Sequence, residues 1–337
     1  MSNERILVTG ACGSVGGALV HRYLNKGAIV CCLDHDEDKI FRLQSQYREH
    51  KNFANLRFFI GSIRDKARLE MAFEGVDTVY HCAAMKHVHL SEVNSFEAVE
   101  TNITGTYNVV KAALTSNVAQ VIFTSSDKAV NPTSTMGATK LVAERIISSA
   151  NYYSGPNDTK FATVRFGNVL NTNGSVVPIF RDQLAQGASL TITSEEMTRF
   201  FITMEDAVDL CVFASDNIIG GEIYVLHMRS ANVRDLAVAI NHGVVPDYKI
   251  LGPKPGEKLY EELVTDVEAP RTFSSGSYVI VMPEDMDMLS LLKRSHFETL
   301  KADLDHSGDL VRSDSDLMNV DEIRQLLTRA DREGEIK

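Results

Sequence analysis

The sequence has no tryptophan and only 5 cysteines and 8 prolines among 337 residues. The cysteines lie within or beside apolar runs and lack the paired spacing of a zinc site. We therefore expect no metal site and no disulfide framework, and we predict reduced thiols that pack in a core. The five residues are Cys12, Cys31, Cys32, Cys82 and Cys211.

Long apolar runs and blocks of basic residues are also missing. No segment is apolar for long enough to cross a bilayer, and the first residues lack the apolar stretch of a signal peptide. The chain has 34 basic and 45 acidic residues, a formal net charge of -11, which argues against a nucleic-acid surface. We expect a cytoplasmic protein with neither a membrane nor a nucleic acid as partner.

A glycine motif near the amino terminus predicts a dinucleotide site. The apolar run Arg5–Thr9 leads into GxxGxxG, and apolar residues at helical spacing follow. This order predicts a strand, a tight turn and a helix whose free N–H groups face a pyrophosphate. The residues that we assign to the cofactor on this basis are Gly10, Gly13, Ser14, Val15 and Gly16.

An acidic residue after the second apolar run indicates which dinucleotide binds. The run Ala28–Leu33 ends at Asp34, about 20 residues beyond the glycines, where a carboxylate can bind ribose hydroxyls and repel a phosphate. This favours NAD over NADP. The nearby His35 and Lys39 weaken that preference, and a simple turn role for Asp34 is the alternative.

Further apolar runs alternate with amphipathic stretches and predict an α/β fold. Parallel strands joined by right-handed crossovers would form a Rossmann-like, doubly wound sheet, and the length predicts an additional smaller lobe. We place the NAD-binding domain at residues 1–170, rejoined by about 201–228, and mainly the substrate lobe, with an acidic extension, at 171–337. The runs are Leu56–Ile60, Thr78–His81, Val121–Thr124 and Phe161–Phe166.

Polar residues follow these runs, where ligands bind at the carboxyl ends of parallel strands. After the third of the four runs come Ser126, Asp127 and Lys128, and Met136 stands four residues before Lys140. In short-chain dehydrogenases a tyrosine and a lysine have this spacing and project from one helix face. A thioether exchanges no proton, so Asp127 and Lys128 are the candidate acid and base.

Several motifs together resemble a known family. The motifs are TGACGSVG, HCAAMKHV, VETNITGTYNVV, SSDKAVNPTSTMGATK, RFGNVL, MTRFFIT and PGEKLYEEL. With these motifs in this order over about residues 5 to 270, the chain resembles nucleotide-sugar 4,6-dehydratases of the extended short-chain dehydrogenase/reductase class. The resemblance is strongest to the UDP-N-acetylglucosamine 4,6-dehydratases of bacterial surface-polysaccharide synthesis, in the type with methionine in place of tyrosine.

The resemblance implies a mechanism. NAD takes a hydride from C4, water is lost across C5 and C6, and the hydride returns to C6, which gives a UDP-2-acetamido-2,6-dideoxy-hexos-4-ulose. Lys128, with a depressed pKa, would be the base at C5, and Asp127 would protonate the C6 hydroxyl. Ser126 would bond to the C4 oxygen, and Lys140 would bind the nicotinamide ribose. Met136 leaves the C4 hydroxyl proton to Asp127, Lys128 or a relayed water.

The resemblance also assigns binding residues. At Ser62 relatives usually have an aspartate that contacts adenine, so serine here removes a charge from the cofactor site. Charged donors suit the oxygens of a diphosphate. The further cofactor residues are Ser62, Ile63, Ala83, Lys86 and Asn102, and the substrate residues are Lys86, Asn168, Arg181, Arg199 and Lys258.

Two other functions stay open at this point. A nucleotide-sugar epimerase acting at C4 or C5 would share the fold and NAD, although the Asp127-Lys128 pair exceeds what simple C4 epimerisation needs. A redox-inactive NAD-binding protein is favoured by Met136 alone. Relatives form oligomers, so we expect a homo-oligomer. After Pro283, the spacing of Met288, Leu291, Leu292 and Ser295 predicts an amphipathic helix.

Overall fold

The computed structural model describes residues 4–154, 158–172, 174–284, 305–306 and 311–335. The strands are β1 (Arg5–Thr9), β2 (Ile29–Asp34), β3 (Leu56–Ile60), β4 (Thr78–His81), β5 (Gln120–Thr124), β6 (Lys160–Arg165), β7 (Asn168–Val169), β8 (Leu190–Ile192), β9 (Thr198–Ile202), β10 (Ile223–Leu226), β11 (Ser230–Asn232), β12 (Tyr248–Ile250), β13 (Glu262–Val264), β14 (Thr272–Ser275), β15 (Tyr278–Val281), β16 (Asp305–His306) and β17 (Val311–Arg312).

The α-helices surround these strands and are joined by shorter helical turns. They are α1 (Ser14–Asn25), α2 (Glu37–Gln46), α3 (Lys66–Phe73), α4 (Val88–Val93), α5 (Ser95–Ala98), α6 (Gly105–Thr115), α7 (Thr135–Ala150), α8 (Val176–Ala185), α9 (Met204–Asn217), α10 (Val233–Ile240) and α11 (Val320–Glu335). A π-helical segment, Val99–Thr104, joins α5 to α6.

The largest sheet has the order β16-β14-β15-β10-β6-β5-β4-β1-β2-β3. From β3 to β10 every neighbouring pair is parallel, and the chain winds outward from β1 in both directions. This confirms the doubly wound fold that the sequence predicts. Three of the six predicted strands match their observed bounds, and the others differ by one residue at one or both ends.

Alternate residues of β1 face opposite sides of the sheet. Ile6 and Val8 belong to the apolar core that contains residues of α1 and α9, whereas Leu7 packs with residues of α3 and α6. Since side chains of a strand alternate with a period of two, both faces of β1 must be apolar when helices cover both. The central strands are therefore continuous apolar runs, and their carboxyl ends are left for polar residues.

The smaller lobe is built from short sheets, β11-β9-β7, β12-β8 and β13-β17, with α8, α10 and α11 packed beside them. The chain leaves this lobe to add α9 and β10 to the large sheet. The chain returns to the large sheet once more, where the apolar β15 pairs antiparallel with β10 on one side and with β14 on the other. Residues after 171 therefore serve both parts of the molecule.

All five cysteines are free thiols. Burial raises the pKa of Cys12 and of Cys82 to about 12. A thiol in that state carries no thiolate at neutral pH and is a poor nucleophile. In the described part of the chain, no helix is long and apolar enough to span a membrane. The amphipathic helix predicted around Met288 to Ser295 lies outside the described residues.

Candidate active site

The glycine turn after β1 has no room for a side chain at Gly10 or Gly16. Gly10 has a φ of +67°, in the left-handed region, and a Cβ on Gly16 would lie 2.2 Å from the carbonyl oxygen of Gly10. Gly13 is the residue directly before α1, and it makes no side-chain hydrogen bond to the helix. The first N–H groups of α1, at Ser14 and Val15, therefore receive no side-chain cap from Gly13. This cradle fits the pyrophosphate of a dinucleotide.

Asp34 lies at the end of β2, next to the glycine turn. Its Oδ2 accepts a hydrogen bond from the N–H of Cys12 at 3.0 Å, and its Oδ1 accepts one from the N–H of Asp36 at 3.2 Å. The side chain thus stabilises the turn, as the simpler interpretation expected, and it also lies beside the cofactor cradle. Both roles are compatible with this geometry.

The other proposed cofactor residues lie along the same edge of the sheet. The N atom of Ala83 is 2.8 Å from the point where a Cβ on Gly10 would stand, so Ala83 forms one wall of the cradle. Ile63 is buried and packs against Gly105. The Oγ of Ser62 accepts a hydrogen bond from the N–H of Arg64 at 3.2 Å.

Asn102 has a different role from the predicted cofactor contact. Its Oδ1 accepts a hydrogen bond from the N–H of Met85 at 2.8 Å, and its Nδ2 donates to the carbonyl oxygen of Met85 and to Thr139. The side chain is 2% exposed. Because its amide is occupied by these partners, Asn102 fixes the loop that carries Lys86 to α7.

Helix α7 brings Met136 and Lys140 onto one face. Ser134 begins the helix by accepting a hydrogen bond from the N–H of Gly137 at 3.1 Å. Met136 is 3% exposed and Lys140 is 6% exposed, one turn further on. Burial lowers the pKa of Lys140 to about 8, and the neighbouring carboxylate of Glu144 opposes this shift. The lysine of the expected pair is in place, and a buried thioether occupies the tyrosine position.

Ser126, Asp127 and Lys128 form a connected group at the carboxyl end of β5. The Oγ of Ser126 donates to Oδ1 of Asp127 at 2.8 Å, and the Nζ of Lys128 donates to the same oxygen at 2.9 Å. Asp127 is completely buried. Its Oδ2 finds no hydrogen-bond partner among the described residues. The Asp127 side chain therefore receives two donors on one oxygen, and its other oxygen is buried without a partner in this part of the structure.

Glu261 completes this group, and the sequence reasoning missed it. Its Oε1 lies 3.9 Å from the Nζ of Lys128 and 3.9 Å from the Nε of Arg199, and its Oε2 lies 3.4 Å from the Nζ of Lys258. The signal was present in PGEKLYEEL, where Glu261 follows Lys258 by three residues. Glu261 was missed because the interpretation of this motif considered only Lys258, as a partner for the substrate.

The pKa of Lys128 is opposite to the prediction. Burial by itself lowers this pKa, but the carboxylates of Asp127 and Glu261 raise it more, and the net direction is upward. The prediction of a depressed pKa was wrong because it counted burial and left out the second carboxylate. Lys128 is therefore an ammonium ion at neutral pH.

A cavity of about 250 Å³ lies between the large sheet and the smaller lobe. Its lining includes Lys128, Asn168, Arg199, Lys258 and Glu261, and Oδ1 of Asn168 accepts a hydrogen bond from Lys128 at 3.4 Å. Three of the proposed substrate residues thus meet the proposed catalytic lysine in one cavity.

Arg181 does not reach this cavity. It lies on α8 and forms two hydrogen bonds of 2.9 Å with the carboxylate of Asp331 on α11. The prediction that Arg181 faces the substrate is corrected, because this ion pair directs the guanidinium to another surface. The remaining substrate candidate, Lys86, is exposed on the loop held by Asn102.

A family model described as "Polysaccharide biosynthesis protein" matches residues 6–283. The chain belongs to this polysaccharide biosynthesis family. Among its relatives, an uncharacterized membrane protein of Methanocaldococcus jannaschii is 42% identical over 85% of this chain and 87% of its own. The inverting UDP-N-acetylglucosamine 4,6-dehydratase of Campylobacter jejuni is 37% identical over 84% of each chain. The family resemblance drawn from the motifs is confirmed.

Two further matches show how the family varies. The crystal structure of the protein Pen of Bacillus thuringiensis is 35% identical, with a TM-score of 0.89 over 98% of each chain. The UDP-glucose 4-epimerase of Rickettsia prowazekii is 32% identical over 98% of this chain and 96% of its own. The relatives of this chain thus include proteins named as dehydratases and as epimerases.

Proposed function

We propose that this member of the polysaccharide biosynthesis family is an NAD-dependent nucleotide-sugar 4,6-dehydratase whose substrate is UDP-N-acetylglucosamine. The observation that carries the proposal is the contact of Lys128 with Asp127 and Glu261 at one wall of the cavity. Loss of water from adjacent carbons needs a proton donor and a proton acceptor a few ångströms apart. A C4 epimerase has no such requirement.

The charge of the cavity supports an anionic substrate. The charged residues that line the cavity are three cations, Lys128, Arg199 and Lys258, and two carboxylates, Glu257 and Glu261. The excess positive charge suits the diphosphate of a UDP-sugar. Backbone carbonyls hold two of these cations in place, since Arg199 donates to the carbonyl oxygen of Lys258 at 2.8 Å and Lys258 donates to that of Val130 at 2.6 Å.

The cofactor cradle follows β1 at the same edge of the large sheet. Gly10, Gly13 and Gly16 would hold the pyrophosphate, Asp34 the adenosine ribose, and Lys140 the nicotinamide ribose. When bound, NAD would supply the oxidant for C4 of the sugar and return the same hydride to C6. A carboxylate at Asp34 disfavours the extra phosphate of NADP.

Ser126 and Asp127 would replace the missing tyrosine at C4. The Oγ of Ser126 already donates to Asp127 at 2.8 Å. If the C4 hydroxyl donates to Ser126, its proton can pass to Ser126 as the serine proton passes to the carboxylate of Asp127. Met136 needs no chemical role in this route, because a thioether exchanges no proton.

The test is incubation with UDP-N-acetylglucosamine and NAD in deuterated water, followed by NMR and mass spectrometry. We expect loss of water, deuterium at C5 and a new C6 methyl group without net use of NAD. Lys128→Ala should stop water loss and spare NAD binding. Lys254→Ala is the matched control, because Lys254 is exposed near the same cavity and lies outside the cluster.

The epimerase relative, which covers nearly the whole chain, supplies the second candidate. A C4 epimer formed without loss of water would support a UDP-sugar 4-epimerase and contradict the dehydratase proposal. An unchanged sugar in the presence of bound NAD, across several UDP-sugars, would favour a redox-inactive binding protein.

A further inference from the structure

Glu261 is held firmly at the wall of the cavity, directly before β13. Its N–H donates to the Oγ of Ser313 at 2.8 Å, and its carbonyl oxygen accepts a hydrogen bond from the N–H of Ser313 at 2.9 Å. Both backbone groups are therefore fixed to the segment that follows β17. The side chain is 3% exposed and points toward Lys128. A side chain on a fixed backbone can act at a defined position.

The carboxylate of Glu261 has a free oxygen. Its Oε2 makes no hydrogen bond within the described part of the chain, although the ammonium of Lys258 lies 3.4 Å away. Asp127, in contrast, is completely buried and does not line the cavity. Of the two carboxylates that contact Lys128, only Glu261 faces the space where a sugar would bind.

The protonation states of the two groups determine their possible roles. An ammonium ion at Lys128 has no lone pair, so it can donate a proton and cannot accept one. Burial raises the pKa of Glu261 despite its cationic neighbours, which makes its carboxylate a stronger base than an exposed one. Lys128 therefore starts in the protonation state opposite to the one that the family resemblance implied for it.

We infer that Glu261 is the base that removes the C5 proton and that Lys128 is the acid that protonates the departing C6 hydroxyl. This inference rests on the proposed dehydratase function and deepens it. Asp127 serves C4 through Ser126 and contacts Lys128 at 2.9 Å, so it is not the acid at C6.

The step balances without any further reagent. In the 4-keto sugar the C5–H bond breaks, and its proton goes to a carboxylate oxygen of Glu261. The electron pair left at C5 forms the C5=C6 double bond as the C6–O bond breaks. The leaving hydroxyl takes a proton from the ammonium of Lys128 and departs as water. Lys128 becomes neutral and Glu261 becomes neutral, so the net charge of the pair is unchanged.

The distance between the two groups fits this step. Oε1 of Glu261 and Nζ of Lys128 are 3.9 Å apart. The C5 hydrogen and the C6 oxygen are substituents of neighbouring carbons, so an acid and a base at this separation can reach both at once. General acid–base catalysis of this kind contributes about 10²- to 10⁴-fold to a rate.

The decisive variant is Glu261→Gln, compared with Glu262→Gln. Glu262 is the next residue, and its carboxylate accepts a hydrogen bond from Asn131 outside the cluster. With UDP-N-acetylglucosamine and NAD in deuterated water, we expect Glu261→Gln to lower water loss and C5 deuteration by about 10²- to 10⁴-fold. Calorimetry should show that its affinity for UDP does not fall, since a negative charge has been removed beside Arg199 and Lys258. Glu262→Gln should match the unmodified protein.

Lys128→Ala gives the complementary result. With Glu261 intact, we expect deuterium to enter C5 of the sugar while no water is lost from C6. If Lys128 were the base, this variant would lose C5 deuteration and Glu261→Gln would keep it, which would overturn the inference. A parallel loss of UDP binding in Glu261→Gln would also overturn it, because it would show a merely structural role.

Different results would contradict the dehydratase function and the role of Glu261. If the unmodified protein loses no water from the sugar, the dehydratase function is contradicted, and the inference falls with it. If the unmodified protein forms the C6 methyl group and Glu261→Gln forms it at the same rate, the function stands and the role of Glu261 is contradicted.

Discussion

The Nζ of Lys140 donates a hydrogen bond to the carbonyl oxygen of Thr124 at 2.7 Å, and it lies 4.3 Å from the centre of the Phe123 ring. The end of β5 therefore positions the lysine of α7 by a backbone contact, with an aromatic face beside the charge. Burial lowers the pKa of this lysine to about 8, within reach of ordinary assay conditions.

We expect the affinity for NAD to fall as the pH rises through about 8, because Lys140 loses its positive charge there. Calorimetric titration with NAD between about pH 6 and pH 10 would measure this fall, which an ordinary lysine would show only near its pKa of about 10.4. Lys140→Met should bind NAD weakly at every pH. A flat profile in the unmodified protein would contradict the assignment.

The same shift has a consequence for stability. Between about pH 8 and the ordinary lysine pKa of about 10.4, the unfolded chain holds more protons at this position than the folded chain. The contribution of Lys140 to the free energy of unfolding therefore rises with pH across that window. In urea unfolding across this window, the free energy of unfolding of the unmodified protein should rise with pH relative to that of Lys140→Met.

Gly16→Ala should abolish dinucleotide binding, whereas Gly17→Ala should not. The new Cβ at Gly16 would lie 2.2 Å from a backbone oxygen, so the turn must move, but at Gly17 its nearest contact is an ordinary 3.5 Å. Alanine inside a helix also stabilises by about 0.5–1 kcal/mol relative to glycine. Calorimetry with NAD and thermal unfolding would separate the two variants. Equal affinities would disprove the role of the glycine turn.

Arg165→Met should destabilise the fold strongly. Arg165 is 2% exposed and makes two hydrogen bonds each with Glu144 of α7, at 2.9 and 2.7 Å, and with Glu268, both at 2.9 Å. Without it, two buried carboxylates lose their partner, and we expect the free energy of unfolding to fall by about 3–5 kcal/mol.

Arg145→Met is the matched control for this loss. Arg145 and Glu284 are 3.9 Å apart with side chains 62% and 68% exposed. Such surface pairs contribute about 0–1 kcal/mol. Urea unfolding of both variants gives the comparison, and a similar small loss in Arg165→Met would show that the buried network is dispensable.

The parts of the molecule that follow from local sequence were predicted well. The strands β1 and β4 have their predicted bounds because a buried parallel strand is a short continuous apolar run that ends in polar residues. The edge strand β3 also has its predicted bounds, although it is only partly buried. The glycine turn was predictable because its shape is set by residues close together in the chain, and the backbone leaves no space for a Cβ at Gly10 or Gly16. The homo-oligomer and the cytoplasmic location stay predictions.

The errors concern residues whose partners come from distant parts of the chain. Asn102 was assigned to the cofactor, but it holds Met85 and Thr139. Arg181 was assigned to the substrate, but it pairs with Asp331. A motif identifies which residue type stands at a position and does not show which of several possible partners its polar groups meet.

The sequence by itself determined the doubly wound fold, the cofactor cradle and the presence of Asp127, Lys128 and Lys140 at one edge of the sheet. Only the tertiary structure decided the protonation state of that edge. Glu261 arrives beside Lys128 from the smaller lobe, and its carboxylate helps reverse the direction of the lysine pKa. Charges interact through space according to distance and burial, and those are fixed by packing and not by position along the chain.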